Sequence, residues 1–186
     1  SKWSQANFGI GSWTPTLKEN VIARYAWDRY DGYGTSRGNP WIISSMTASQ
    51  VWNRAGQYFR PNAPVDAYEP NYTFYPQQYH MWAEFIQNAA PCSEFKTLLN
   101  TLYSGNIYSV PKAQWKTCAA SLRDMFWNRA DDAIRVPFAL VGFPNSLSEQ
   151  IHRDQGVPVG AEALTWNYSS LLFADFERRQ RDSNPK

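Results

Sequence analysis

Glu149 sits in the loop Ser-Leu-Ser-Glu-Gln (146–150), ahead of a turn marked by Gly156, Pro158 and Gly160 and a long amphipathic run. Ser148 and Gln150 give its carboxylate polar neighbours that favour ionisation, which suits a general base rather than a general acid. Acid–base hydrolysis generally uses two carboxyl groups, so a second is required elsewhere. A second chemical cluster lies far upstream, in Ala-Arg-Tyr-Ala-Trp-Asp-Arg-Tyr-Asp-Gly-Tyr-Gly-Thr-Ser-Arg-Gly-Asn-Pro-Trp (23–41). Arg24 offers a rigid fork of donors for neighbouring hydroxyls, and Asp28 accepts from them. Tyr25, Tyr30 and Trp41 supply flat faces that cover the apolar side of a sugar ring. Each cluster also has a plainer reading. Glu149 is then a surface glutamate, and Arg24 pairs with Asp28 in a solvated turn.

Other chemistries find no support. His80 falls on an apolar helix face and His152 in a loop, without metal-ligand spacing. There is no Gly-rich phosphate loop and no nucleophile elbow. No metal and no cofactor is expected. Cys92 and Cys118, the only cysteines, are either one disulfide or two buried thiols.

The elements that must position these groups are helical. Asn39 suits an N-cap and Pro40 the first turn of a helix running to Phe59. Further helices are expected over 76–90, over 93–105 (capped by Ser93, closed by Gly105) and over 111–133, the last with Trp115, Cys118, Leu122, Met125 and Phe126 as its buried stripe. A final helix over 161–181 carries Leu164, Tyr168, Leu171, Leu172 and Phe176 at helical steps, with Arg178, Arg179 and Arg181 near its end. Residues 1–38 and 60–75 are broken by glycine or proline and are expected to be irregular. No alternation long enough for a sheet is present. The fold class is all-α.

The 186 residues suffice for one domain with a sizeable core. Eighteen basic side chains against sixteen acidic ones, with no basic block, argue against nucleic acid or an anionic membrane as partner. No apolar run reaches transmembrane length. Aromatic residues make up 16% of the chain; most are expected in the core. Asn71-Tyr-Thr73 and Asn167-Tyr-Ser169 fit the glycosylation pattern, the second inside a predicted helix. The compartment is left open, with a secreted or endomembrane location favoured.

The two clusters together resemble the carboxyl-terminal part of a glucoamylase catalytic domain, glycoside hydrolase family 15. The matching residues are Arg24, Tyr25, Asp28 and Tyr30; Gly38, Asn39, Pro40 and Trp41; Ser148, Glu149 and Gln150; and Leu164, Thr165, Trp166 and Tyr168. They run in the family's order along essentially the whole chain, and the step from Glu149 to Trp166 agrees with the family. The resemblance implies the carboxyl-terminal portion of an (α/α)6 barrel, incomplete as a lone chain, with residues 1–186 forming part of a single catalytic domain. It implies hydrolysis of α-glucosidic bonds from non-reducing ends with inversion, on α-glucans or short α-glucosides. Glu149 would be the base, and Arg24, Tyr25, Asp28, Trp41 and Gln150 would bind or border substrate. The general acid would come from an upstream segment, so the implied partner is the amino-terminal half of the same domain, as a second fragment. Half a helical ring would also leave a broad apolar flank exposed, so the chain is expected to be unstable alone.

Departures from the family pattern are Trp27 in place of an acidic residue, a loop lengthened at Asp31–Ser36, and Gly160 in place of serine. The alternative from another class is a glucoamylase-like sugar-binding or regulatory protein that has lost the acid. A different (α/α)6 glycosidase, such as a trehalase, is a third reading.

Overall fold

The computed structural model describes residues 21–25, 27–60, 70–141 and 147–183. Five helices carry the described chain: α1 (Ile42–Tyr58), α2 (Tyr79–Ile86, preceded by a 3-10 turn at Pro76–Gln78), α3 (Glu94–Tyr103), α4 (Lys116–Val141) and α5 (Thr165–Ser183). Each falls on a segment whose periodicity predicts a helix, and the all-α class holds. The ends differ. Asn39 does not cap α1, because its side chain is committed to tertiary bonds described below. Ser93 precedes α3 without a capping bond; its hydroxyl goes to the Glu94 carboxylate at 2.6 Å. Gly105 does close α3. With φ +79°, it donates to Leu102 O (3.0 Å) while Asn106 N reaches Thr101 O (3.1 Å), a Schellman pair that satisfies two terminal carbonyls. α4 continues through Pro137 to Val141, past the expected end at Ala133.

Two short antiparallel ladders add strands that the sequence does not announce. β1 (Asn71–Phe74) pairs with β2 (Tyr108–Pro111), and β3 (Gln150–Ile151) pairs with β4 (Pro158–Val159). Four- and two-residue strands are too short for an alternating pattern to register. The strand at 71–74 also corrects the expectation of an irregular 60–75. The expectations for residues 1–20 and 61–69 fall outside the described residues.

The chain divides into two compact units. One spans Arg54–Asn128 and has an aromatic core. Phe59 stacks on Phe126 with centroids 5.8 Å apart, and Phe74 packs edge-on against Trp82 (5.0 Å) and Trp115 (5.1 Å). Leu98, Leu102, Trp115 and Leu122 are buried among them. A disulfide joins Cys92 to Cys118 across 26 residues. In the loop-closure picture it stabilises the fold by roughly 3 kcal/mol.

The other unit holds the described residues up to Asn53 together with Arg129–Ser183. Within it α5 turns an unusual face inward. Asn167, Ala174 and Glu177 are buried, whereas Trp166 (50% exposed), Leu172 (69%), Phe173 (58%) and Phe176 (55%) face solvent. Of the apolar stripe expected from the sequence, Leu164 and Leu171 are half-buried, whereas Tyr168, Leu172 and Phe176 are left exposed by the described residues. At the far end Arg181 reaches Asp131 of α4 at 3.1 Å.

Candidate active site

The backbone around Glu149 is held from two sides. Its carbonyl accepts from Ile42 N at the start of α1 (3.3 Å), and its amide donates to Ala161 O beyond β4 (2.8 Å). The neighbouring residues extend the frame. Trp41 bridges Ile22 on one side and Gln150 on the other, and Ile151 N donates to Pro40 O at 3.0 Å. The segments 22, 40–42 and 149–151 thus form a small antiparallel scaffold, closed by the β3–β4 ladder.

The Glu149 residue is only 8% exposed. What faces its carboxylate is backbone: a Cβ built on Gly160 would stand 2.6 Å from Glu149 Oε2. Gly160 also has φ +79°, a conformation that glycine adopts without the strain a side chain would bring. A glycine here therefore both makes the turn and leaves room for the carboxylate. The lengthened loop packs on the same turn, since a Cβ on Gly32 would come within 3.1 Å of Gly160 Cα.

The amino-terminal turn of α5 clamps the loop from below. Asn167 Nδ2 donates to Ser148 O at 2.6 Å, and Tyr168 Oη accepts from Leu147 N at 3.1 Å. Asn167 has no exposed surface. Its amide is committed to the loop, so the second glycosylation pattern is unavailable in the folded chain.

Arg24 and Asp28 do pair, but not as a solvated turn. The Asp28 side chain has no exposed surface, against 40% for that of Arg24. Two parallel bonds of 3.1 Å join Nε to Oδ2 and Nη2 to Oδ1, and Tyr30 N adds a third to Oδ1 at 3.2 Å. The guanidinium lies over the Trp41 ring at 4.2 Å and over the Tyr25 ring at 4.9 Å. Its partial burial opposes the charge, yet the bonds and charge of Asp28 outweigh this and raise its pKa. Nη1 has no protein partner among the described residues, so a pre-oriented donor remains for a ligand hydroxyl. Tyr25 is 51% exposed, with Oη accepting from Arg24 Nη2 at 3.3 Å.

Trp41 and Gln150 occupy deeper positions. Trp41 is 4% exposed and serves as the floor under Arg24. Gln150 is fully buried; its Oε1 accepts from Asn39 Nδ2 at 3.0 Å, while its Nε2 and Trp41 Nε1 have no partner among the described residues. Asn39, which local pattern reads as a helix cap, is a central tie. It also donates to Asp31 O (3.0 Å) and accepts from Arg153 N (3.1 Å). Arg153 in turn donates to the carbonyls of Arg37 and Gly38. The Gly-Asn-Pro-Trp motif marked Asn39, but no local pattern marked Arg153.

Two clefts, of about 290 and 330 Å³, open beside this frame and share Ser36, Arg37 and Arg153. Glu149 lines neither. Outside this unit Cys92, Glu94 and Cys118 lie close together, but the sulfurs are bonded to each other and offer no thiolate ligands. Among the described residues no helix is long and apolar enough to cross a membrane.

A family profile for glycosyl hydrolases family 15 matches residues 9–175, and the chain belongs to that family. Among its curated relatives it is 30% identical over 162 residues to a glucoamylase of Blastobotrys adeninivorans, covering 86% of this chain and 22% of the relative. It is also 30% identical over 161 residues to a probable glucoamylase of Schizosaccharomyces pombe, covering 86% and 28%. Among solved structures, the glucoamylase of Saccharomycopsis fibuligera superposes with TM-score 0.71 at 21% identity, covering 96% of this chain and 33% of that one. The family 15 glucoamylase of Hypocrea jecorina gives 0.64 at 22% identity, covering 96% and 25%. The fold is therefore part of a family 15 barrel, and the chain spans about a quarter of the length of the curated relatives it matches.

Proposed function

We propose that this chain is the carboxyl-terminal part of a single glucoamylase-like catalytic domain that hydrolyses α-glucosidic bonds from non-reducing ends with inversion. One observation carries the reading. Glu149, at the position of the family's Ser-Glu-Gln motif, is held at both its amide and its carbonyl, with its carboxylate set against side-chain-free backbone at Gly160. A carboxylate so fixed is pre-oriented to take a proton from an attacking water, the base half of an inverting pair. The acid half, which protonates the departing oxygen, is assigned to an upstream segment of the same domain.

The geometry supports the remaining roles in this reading. Asp28 and Trp41 lock the Arg24 fork, whose Nη1, without a partner among the described residues, donates to a sugar hydroxyl, with Tyr25 at its edge. Gln150 supports the site from beneath. The substrate class is α-glucans or short α-glucosides. The uncovered row of Trp166, Leu172, Phe173 and Phe176 on α5 supports an amino-terminal part of the domain as its cover, on the same or a second polypeptide. The disulfide supports folding in an oxidising compartment.

The test is Glu149→Gln in the protein complete with its amino-terminal part. This isosteric change keeps the shape and removes the base. Turnover of an α-glucan should fall by about 10²–10⁴-fold with substrate affinity retained. A near-normal turnover number would remove Glu149 from the mechanism.

A further inference from the structure

Among the described residues no core packs around Trp27. It is 82% exposed, yet its backbone lies in the left-handed region at φ +67°. For a bulky residue this conformation is an outlier that stores on the order of 1 kcal/mol or more, and such strain concentrates where a ligand is met.

Its surroundings are built rather than loose. Arg29 and Ser36 exchange two bonds, Ser36 N to Arg29 O at 2.8 Å and Arg29 Nε to Ser36 O at 3.0 Å. Tyr30 bridges Thr35, and Asp31 Oδ1 accepts from Tyr33 N (3.1 Å) and Gly34 N (2.9 Å) at the tip. These bonds make the loop a miniature hairpin. Trp27 stands at its base beside the cleft of about 330 Å³, and Tyr33, 86% exposed, stands at its tip beside the cleft of about 290 Å³. Between them Arg37 lines both clefts, and the terminal nitrogens of Arg29 have no protein partner among the described residues. Exposed aromatic faces flanking guanidinium donors are the chemistry that holds a sugar ring by its apolar face and its hydroxyls.

We infer that this hairpin carries an additional sugar subsite, with Trp27 as stacking platform and Arg29 as hydroxyl donor, for glucose units of a longer chain beyond those held at Arg24. The inference rests on the glucan-hydrolase reading and adds a chain-length preference to it. The subsite is separate from the Glu149 frame, so it acts only on substrates long enough to reach it.

The experiment compares wild type with Trp27→Ala, Trp27→Phe and Trp27→Gly in the complete protein, using an α-linked glucose disaccharide and pentasaccharide. For Trp27→Ala, kcat/KM should fall roughly five- to tenfold on the pentasaccharide and stay within twofold on the disaccharide. Trp27→Phe should restore most of the loss. Trp27→Gly should lose pentasaccharide activity while raising Tm, because glycine relieves the left-handed strain; a merely structural tryptophan would show a falling Tm. Equal losses on both substrates, or none on the pentasaccharide, would overturn the subsite. Calorimetric titration with the pentasaccharide separates the two readings. A wild type that hydrolyses neither sugar overturns the hydrolase reading alone, and equal pentasaccharide affinity in wild type and Trp27→Ala overturns the subsite.

Discussion

Replacing Asn39 with alanine tests whether the proposed base is positioned by a tie between distant segments. The Asn39 amide makes three bonds: to Gln150 Oε1 at 3.0 Å, to Asp31 O at 3.0 Å and from Arg153 N at 3.1 Å. Two of these partners are deeply buried, Gln150 with no exposed surface and Arg153 at 6%. An unsatisfied buried donor or acceptor costs about 1–3 kcal/mol. The two together, discounted for relaxation, give a loss of about 3 kcal/mol, more than a hundredfold in the folding equilibrium. Gln150 suffers most, because its Nε2 has no partner among the described residues and the substitution strips its Oε1 as well. Gln150 adjoins Glu149, so turnover should also fall, by about tenfold or more, as the carboxylate loses its register. Asn39→Asp keeps an acceptor for Arg153 N but loses both donated bonds, and should be no milder. Urea unfolding of the complete protein, with kcat on an α-glucan, measures both effects. A stability loss below about 1 kcal/mol with normal turnover would refute the tie.

Two further outcomes follow from named contacts. Arg24→Ala should raise KM strongly and lower stability by about 1–3 kcal/mol, because the Asp28 carboxylate is left buried without its fork. Adding Asp28→Ala should recover part of the stability and none of the KM; Michaelis parameters beside denaturation curves would show whether binding and folding separate in this way. Tyr72 is buried, and desolvation, with Tyr58 nearby, pushes its hydroxyl up to about 12 from 10.0. The folded state then holds the proton longer than the unfolded chain. Its stabilising effect is complete below pH 10 and is lost between pH 10 and 12, by up to about 3 kcal/mol. Comparing Tm at pH 9 and 11 should show this slope in wild type and a shallower one in Tyr72→Phe; equal slopes would contradict it.

The exposed row on α5 shows how a helix's face depends on what is packed around it. Asn167 and Glu177 turn inward, while Leu172 and Phe176 remain uncovered. The heptad-like spacing of the apolar residues describes a stripe that needs a partner, and the described chain does not supply one. Periodicity identifies such a stripe but not which element meets it.

The five helices were legible in the sequence because each rests on local spacing: apolar residues three and four apart, with glycine at a left-handed closure such as Gly105. The residues of the candidate site were legible in a different way, as short motifs in a recognisable order. The tertiary structure alone decided how those motifs are joined. Asn39 and Gln150 lie 111 residues apart in sequence, and no window of sequence holds both, so Asn39 reads locally as a helix cap. Gly160 against the Glu149 carboxylate, Trp41 as the floor beneath Arg24, and the joining of Cys92 to Cys118 are also products of close packing between remote segments. Trp27 shows the same division most clearly. Its identity marks a departure from the family pattern, but its left-handed backbone and open face exist only because the hairpin and its bonds hold it there.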